Sequence, residues 1–231
     1  TGAETVQDVA LDRAGRTVVL DRLVEGELRV IGVDGRIERR IPAVRGAIKE
    51  GGAITGLFCA GDGLYVENAH DELVQVATRD GAPLSAGKTL PGRPTRDGKL
   101  FVRAGIIDRQ AGRVYVQAHG RGGQLAWETP LTLTAPVLHL LLLDSDDSGR
   151  VYLGAEIGHE DPATHEFAGL STVVARLDPR TGALSGSIAL PPTTQDPAES
   201  FRPLAVDGGG RIYHMVSSGA GLRITRYTFS D

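Results

Sequence analysis

The chain has 231 residues, of which 41% are hydrophobic, 23% charged and 5% aromatic, and its formal net charge at pH 7 is −4. This length suits one large all-β domain or two small ones, with a sizeable core. The mild acidity argues against nucleic acid or an anionic membrane surface as a partner, and the scarcity of aromatic residues argues against a stacking platform for single strands or glycans.

The single cysteine, Cys59, rules out an internal disulfide, and its apolar neighbours predict a buried small side chain. The most apolar run, Val137 to Leu143, is far shorter than the roughly 18 residues of a membrane-spanning helix, so we expect no membrane span. Because Thr1 is not an initiating residue, we expect a processed or truncated chain and a secreted or periplasmic location.

Five hairpin-like segments follow one another along the chain. Each has an apolar strand, an acidic turn that ends in glycine, often followed by arginine, and a second apolar strand. More alternating sequence follows each segment, with Asp-Gly turns that predict further antiparallel strands. The five segments run from Val9 to Asp21, from Leu57 to Asn68, from Ala104 to Gly120, from Leu140 to Glu156 and from Pro203 to Ser218.

Each unit therefore holds three or four short antiparallel strands, named A to D in chain order, and no segment shows a sustained helical period. One small sheet cannot bury both of its faces, whereas radial stacking of several sheets can. The sequence thus predicts an all-β fold, a β-propeller with five recognisable blades in a single domain over 1–231. The predicted blades are 6–43, 54–92, 100–134, 137–191 and 201–231.

One unit, GLYVENAHDELVQVATRDGAPL from Gly63 to Leu84, carries the pattern in most detail. It resembles the repeat of NHL-type propellers, with glycine, an apolar residue, Tyr-Val, a polar turn, an alternating strand and Asp-Gly. The other units resemble this repeat more loosely, so the resemblance covers most of the chain and places it among the six-bladed-like propellers. Because propellers host many unrelated activities, the resemblance implies a fold and not a function.

The last unit leaves the number of blades open, because it stops after its third strand at RYTFSD. Closed propellers often complete such a blade with a strand from the N-terminus, but only TGAET precedes the first predicted strand. Three arrangements remain: minimal closure with five blades, a six-bladed ring completed by upstream residues, and addition of the missing strand by a partner chain.

In a propeller, the A–B and C–D turns lie on one face, and the B–C and D–A loops lie on the other, which is more often the binding face. We assign to this loop face the B–C loops 21–26, 67–72, 119–123, 156–170 and 217–221 and the D–A loops 44–52, 91–98 and 191–200. Long loops on a rigid scaffold often carry function. The binding-face candidates are therefore Asn68, His70, Asp71, His119, Arg121, His159, Glu160, His165 and Glu166.

Two of these loops contain residue types that bind metals. GHEDPATHEF, from Gly158 to Phe167, has two histidines and three acids, but its spacing matches no standard metal motif, and a polar surface loop or a partner-contact loop explains it too. Glu67 and Asn68 resemble part of the ligand set that holds a divalent ion in propeller lactonases of the regucalcin type. Ordinary turn chemistry also accounts for Asn68.

The segment DSDDSG matches the start of an EF-hand calcium loop, with Asp144, Asp146 and Ser148 as candidate metal ligands. Ala155 stands where the loop requires its last acid. The corresponding turns in other units lack such ligands, so we interpret the segment as a hairpin turn on the face opposite the long loops. No cofactor is predicted, and Ca²⁺ at these three residues stays an alternative.

The sequence contains no nucleophile elbow, phosphate-binding loop, dinucleotide fingerprint or Cys-x-x-Cys motif. We therefore favour a non-catalytic binding or scaffolding propeller that engages a protein or small-molecule ligand through its loop face. A metal-dependent enzyme of the lactonase or lyase kind is the alternative. A structural subunit whose last blade is completed by another chain is the third. His139 and His214 are expected in the core or channel, and Trp127 between blades.

Overall fold

The computed structural model describes residues 6–12, 14–21, 27–42, 54–61, 63–68, 72–78, 80–82, 84, 89–161, 163–164, 166–193, 203–219 and 221–229. All the regular secondary structure in these residues is β-strand, which confirms the predicted all-β class. The strands form five small antiparallel sheets, and the fold class is a five-bladed β-propeller. The chain divides into two compact units, which are described separately, and the predicted single domain with its blade limits stays a prediction.

The first unit comprises the described residues of Thr1–Phe101 and His119–Gln124. In it, β1 to β4 form one sheet in chain order and β5 to β8 form another. Its strands are β1 (Val6–Leu11), β2 (Thr17–Asp21), β3 (Glu27–Ile31), β4 (Ile37–Ile41), β5 (Ile54–Ala60), β6 (Gly63–Asn68), β7 (Glu72–Thr78), β8 (Thr89–Leu90) and β9 (Arg93–Pro94).

The second unit comprises the described residues of Val102–Ala118 and Leu125–Asp231. Here β13 to β16 form a four-stranded sheet in chain order, and β17 to β19 form a three-stranded sheet. The strands are β10 (Phe101–Asp108), β11 (Arg113–His119), β12 (Leu125–Thr132), β13 (Val137–Ser145), β14 (Val151–Glu160), β15 (Phe167–Leu177), β16 (Leu184–Leu190), β17 (Leu204–Val206), β18 (Ile212–Ser218) and β19 (Gly221–Tyr227).

The core of the first unit lies between sheet faces whose apolar residues recur every second position. Val18 and Leu20 of β2 pack in one cluster with Val66 of β6, because alternate side chains of a strand share one face. Cys59 packs against the edge of this cluster. Burial raises the pKa of its thiol to about 12, so the thiol stays protonated at neutral pH, which agrees with the predicted structural role.

The second unit has a corresponding cluster, in which Tyr152, Val174 and Ile212 are fully buried. His214, two residues after Ile212, is also completely buried, as expected for a core histidine. Both of its ring nitrogens lack a hydrogen-bond partner among the described residues. Burial lowers the pKa of His214 below its ordinary value of 6.5, because a charged imidazole would be poorly solvated there.

The turn between β13 and β14 is organised by one aspartate. Oδ1 of Asp146 accepts hydrogen bonds from the backbone N–H groups of Ser148 (2.9 Å) and Arg150 (3.1 Å). Its Oδ2 accepts from Nε of Arg150 (2.6 Å) and from the hydroxyl of Tyr152 (2.8 Å). Gly149 completes the turn with a φ of 83°, a conformation that favours glycine. We call this set of contacts the aspartate clamp.

The same clamp recurs in two further A–B turns. Asp207 accepts from the backbone N–H groups of Gly209 and Arg211 at 2.9 and 3.0 Å, and from Arg211 Nε and the Tyr213 hydroxyl at 2.6 and 3.1 Å. Asp12 makes the backbone and arginine contacts in the β1–β2 turn. The spacing Asp-x-x-Gly-Arg therefore closes an A–B hairpin by local hydrogen bonds alone.

The third sheet departs from the predicted arrangement. Its strand order is β12-β11-β10-β9, so the two-residue β9 is strand A, although 91–98 was expected to be a D–A loop. The A–B turn that follows is closed by a 2.9 Å hydrogen bond from the Thr95 N–H to the Leu100 carbonyl. The predicted third hairpin, 104–120, is therefore a B–C hairpin and not an A–B hairpin. As a result, the turn after Asp108 lies at the end of its sheet that carries the B–C turn.

Candidate functional site

The longest hairpin of the second unit extends beyond its own sheet. β14 and β15 continue past the point where Val137 of β13 pairs with Ile157, and the pairing persists to Glu160 opposite Phe167. A hydrogen bond of 3.0 Å from the Gly158 N–H to the Pro136 carbonyl fixes the base of this extension. We call residues 158–170, of which 158–161, 163–164 and 166–170 are described, the ribbon.

A groove with a volume of about 320 Å³ lies at the base of the ribbon. One side is formed by the ribbon residues His159, Glu160 and Phe167, and the floor by the start of β13, including His139. The groove lies at the B–C end of its sheets, where function was expected. A second pocket of about 160 Å³ in the same unit is lined only by aliphatic, alanine, serine and threonine side chains.

Arg109 closes the groove from the B–C turn of the third sheet. Its Nη1 donates to the backbone carbonyl of Val137 at 2.8 Å and to that of Leu138. The Val137 N–H donates in return to the Arg109 carbonyl at 2.9 Å. These bonds tie the turn to the first residues of β13, so the guanidinium has a defined position at the groove wall.

The polar groups of the groove are mostly hydrogen-bond donors. Arg109, His139 and His159 supply N–H groups, whereas Glu160 is the one acidic side chain that lines it. Phe167 supplies an aromatic wall and is 36% exposed. The arrangement can hold a polar, electron-rich group against an apolar surface.

The structure brings together two of the predicted binding-face residues, His159 and Glu160. Glu166 is exposed in the ribbon tip, where its N–H donates to Thr164 Oγ1 at 3.3 Å. Asn68 is buried at the end of β6 in the first unit. Three further candidates, His70, Asp71 and His165, lie outside the described residues.

His119 and Arg121 belong to the first unit, and the structure places them differently from the prediction. Because β9 is strand A, the connection after β11 is a C–D turn and not a B–C loop. Arg121 donates to the Tyr65 hydroxyl and to Gln75 Oε1, both at 2.8 Å. These contacts hold the turn against the β5–β8 sheet, and a binding role for His119 and Arg121 stays a prediction.

Glu67, one of the residues considered for a metal enzyme, is buried and forms a salt bridge with Arg93. Arg93 Nε donates to Oε1 and Arg93 Nη2 donates to Oε2, both at 2.9 Å, and Thr55 Oγ1 donates to Oε2 at 3.0 Å. A metal ion at Glu67 would have to displace Arg93. Among the described residues, no group of three or more His, Cys, Asp or Glu side chains is placed to hold a metal ion.

The calcium-like segment is the aspartate clamp of the β13–β14 turn. Burial acts to raise the pKa of Asp146, but hydrogen bonds from Ser148, Tyr152 and Arg150 outweigh it, so its pKa lies below 3.8. Both carboxylate oxygens of Asp146 therefore already accept hydrogen bonds from the protein, and one of the donors, Arg150, is cationic. Calcium at Asp144, Asp146 and Ser148 stays a prediction, and this geometry does not favour it.

Sequence reasoning missed Arg109, His139 and Phe167 as neighbours of the ribbon. Arg109 was assigned to an A–B turn on the opposite face, and His139 to the core or channel, yet His139 is exposed. One signal was available: Asp108 stands four positions before Gly112, whereas in the clamped turns the aspartate stands three positions before the glycine. That longer spacing marks a turn of a different class.

No protein-family model matches the chain, and no curated protein matches it significantly, so the relation to NHL-type repeats stays a prediction. A predicted 6-phosphogluconolactonase of Bacteroides fragilis is 15% identical with a TM-score of 0.42, over 94% of this chain and 67% of that one. The holo PQQ domain of pyranose dehydrogenase from Coprinopsis cinerea is 10% identical with a TM-score of 0.41, over 95% and 57%. Similarity this low supports no inference about activity.

Proposed function

We propose that this chain is a non-catalytic binding module that engages its partner through the ribbon and the groove at its base. The observation that carries the proposal is the extension of β14 and β15 beyond their sheet, beside a groove of about 320 Å³. A projecting hairpin on a packed sheet offers contact area, and the groove offers a recess for one anchoring group.

The relation to NHL-type repeats and a secreted or periplasmic location are part of the same proposal. The pattern from Gly63 to Leu84 supports the first. Within the described part of the chain, no helix is long and apolar enough to cross a membrane.

A shortened ribbon tests the proposal. Because Glu160 pairs with Phe167, replacement of 161–166 by Asn-Gly should close the hairpin with a two-residue turn and leave the groove wall intact. The parent, this variant and Arg180→Ala, a control in the exposed turn between β15 and β16, would be used for affinity capture from extracts of the source organism. Captured proteins would be quantified by mass spectrometry.

We expect the parent and Arg180→Ala to capture equal amounts of one partner. The shortened variant should capture at least roughly tenfold less of it, because a central contact is removed. Circular dichroism checks that the three proteins share one fold. Equal retention by the shortened variant would contradict a role for the ribbon.

The metal-dependent enzyme remains the alternative. It predicts that a divalent ion copurifies in stoichiometric amount and that Glu67→Gln lowers its content. Arg93 supports the opposite expectation, because it already neutralises Glu67. Elemental analysis of the purified parent and of Glu67→Gln separates the two functions, and a stoichiometric ion lost in the variant would favour the enzyme.

The last sheet favours a second candidate, a subunit completed by another strand. Among the described residues, β19 is the edge of a three-stranded sheet, and its Leu222 and Ile224 are 70% and 66% exposed. An exposed apolar edge strand is a template for strand addition. Light scattering over a range of concentrations tests this: Ile224→Lys should abolish an oligomer of the parent, and a strictly monomeric parent would contradict it.

A further inference from the structure

The chemistry of the groove narrows the class of ligand that it fits. Nη1 of Arg109 is committed to the carbonyls of Val137 and Leu138. The other guanidinium donors, on Nε and Nη2, have no hydrogen-bond acceptor among the residues that the structure describes. These two donors lie on one edge of the guanidinium and are spaced to match the two oxygens of a carboxylate.

The two imidazoles add donors to the same groove. His139 and His159 belong to adjacent strands, both line the groove, and both are exposed. An anionic group between Arg109 and these rings would accept hydrogen bonds from three side chains. Glu160, on the ribbon, is the one lining group that would repel it.

The apolar part of the groove fits a flat or aliphatic body. Phe167 forms one wall, and Pro136 and Leu138 contribute further apolar surface. The volume of about 320 Å³ lies at the lower end of the range for small-ligand sites, which suits a ligand of modest size.

We infer that the groove binds a carboxylate carried on a small apolar body, with Arg109, His139 and His159 as donors and Phe167 as the packing surface. The inference rests on the proposed binding function and names the chemistry of the anchoring group. The same chemistry is available from a free aromatic acid and from a peptide whose C-terminal residue is apolar.

Nuclear magnetic resonance titrations of ¹⁵N-labelled protein test the inference. The small-molecule probe is phenylacetate, with phenylacetamide as its neutral control. The peptide probe is Gly-Gly-Phe with a free C-terminus, with the C-terminal amide as its control. We expect saturable shifts at residues 137–139 and 158–160 with an acid and none with the amides.

Two substitutions on the ribbon give opposite expected effects. His159→Ala should weaken acid binding about three- to tenfold, since it removes a donor to a charged group at an exposed site. Glu160→Gln should strengthen binding by a similar factor, because it removes the repelling charge. Both side chains are exposed, so neither substitution is expected to affect folding.

Binding of phenylacetate alone would identify a free acid as the ligand class, and binding of the peptide acid alone would identify a C-terminus. Equal binding of acids and amides, no binding of either acid, or shifts confined to other residues would overturn the inference. The proposed function is judged separately by partner capture with the shortened ribbon, so either can fail without the other.

Discussion

The aspartate clamp shows how much of this fold is encoded within seven consecutive residues. In the turns at Asp146 and Asp207, one carboxylate serves two backbone N–H groups, an arginine and a tyrosine. The spacing that suggested a calcium loop is the spacing that places donors of the same chain around the carboxylate. A cation-binding pattern and a turn are therefore alike in sequence and differ in what surrounds the oxygens.

Asp146→Asn should destabilise the protein by about 2 kcal/mol, because the amide nitrogen would face Arg150 and the Tyr152 hydroxyl, both of which are donors. Asp207→Asn should cost less, since the side chain of Asp207 is 25% exposed and that of Asp146 is 0% exposed. Urea unfolding at pH 7 measures both. Equal losses would contradict the role assigned to burial.

The pH dependence has a defined sign at the same residue. Because the pKa of Asp146 is lower in the folded protein than 3.8, its stabilisation is present above pH 3.8 and is lost as the pH falls through the lowered value. Asp146→Asn should therefore flatten the decline in unfolding free energy below pH 3.8.

His214 affects the stability of the protein in a different pH range. Its folded pKa is lowered from 6.5, so the unfolded chain takes up a proton first, and stability should fall as the pH drops below 6.5. His214→Leu should remove this part of the decline, whereas His159→Gln at an exposed site should retain it. Urea unfolding at pH 7.5 and 5.0 gives the comparison, and parallel losses in His214→Leu and parent would contradict it.

At the scale of the element, four of the five predicted A–B hairpins are present, and the third is not. The four succeed because each is a local turn between two apolar strands. The third fails because its strand A, Arg93–Pro94, has two residues, and alternation cannot be detected over so short a length. The sequence Gly-Arg-Val-Tyr then occurs one strand later, at Gly112, and imitates an A–B turn.

The A–B turns of the first unit depend on close backbone approach. Gly98 has a φ of 71°, and a Cβ there would lie 2.8 Å from the Cα of Gly61. Gly35 has a φ of 79° with nothing within 4 Å of such a Cβ. Gly35→Ala should therefore cost about 1 kcal/mol from the backbone conformation alone.

Gly98→Ala should cost roughly twice as much as Gly35→Ala, because backbone atoms cannot move aside as a flexible side chain can. Thermal and urea unfolding of the two variants measures the difference. Equal costs would indicate that the two turns separate without loss of stability.

For the whole molecule, the repeat predicted the fold class and could not predict the groove. The fold follows from a pattern that recurs along the chain. The groove is formed by a turn at Arg109, the start of a strand at His139 and the ribbon at Phe167. The turn at Arg109 reaches the groove because β9 is strand A of the third sheet, which makes this turn a B–C turn. Sequence periodicity identifies His159 and Glu160 as loop residues but does not identify their neighbours.

The predicted single domain has a direct test in Trp127, the chain's one tryptophan. It is 7% exposed in the second unit, and its Nε1 donates to the Pro179 carbonyl at 3.1 Å. If the chain unfolds as one domain, Gly98→Ala in the first unit should shift the fluorescence midpoint as much as the far-ultraviolet circular dichroism midpoint. A fluorescence midpoint that stays in place would indicate independent units.

Cys59 supplies a complementary measurement of motion in the folded state. Since its thiol has a pKa raised to about 12, an alkylating reagent at neutral pH meets almost no thiolate while the strand is packed. At a fixed reagent concentration, the labelling rate then reports the fraction of time in which β5 and β6 are separated. A time course with iodoacetamide would therefore measure transient opening of the first unit, with the natural Cys59 as the reporter.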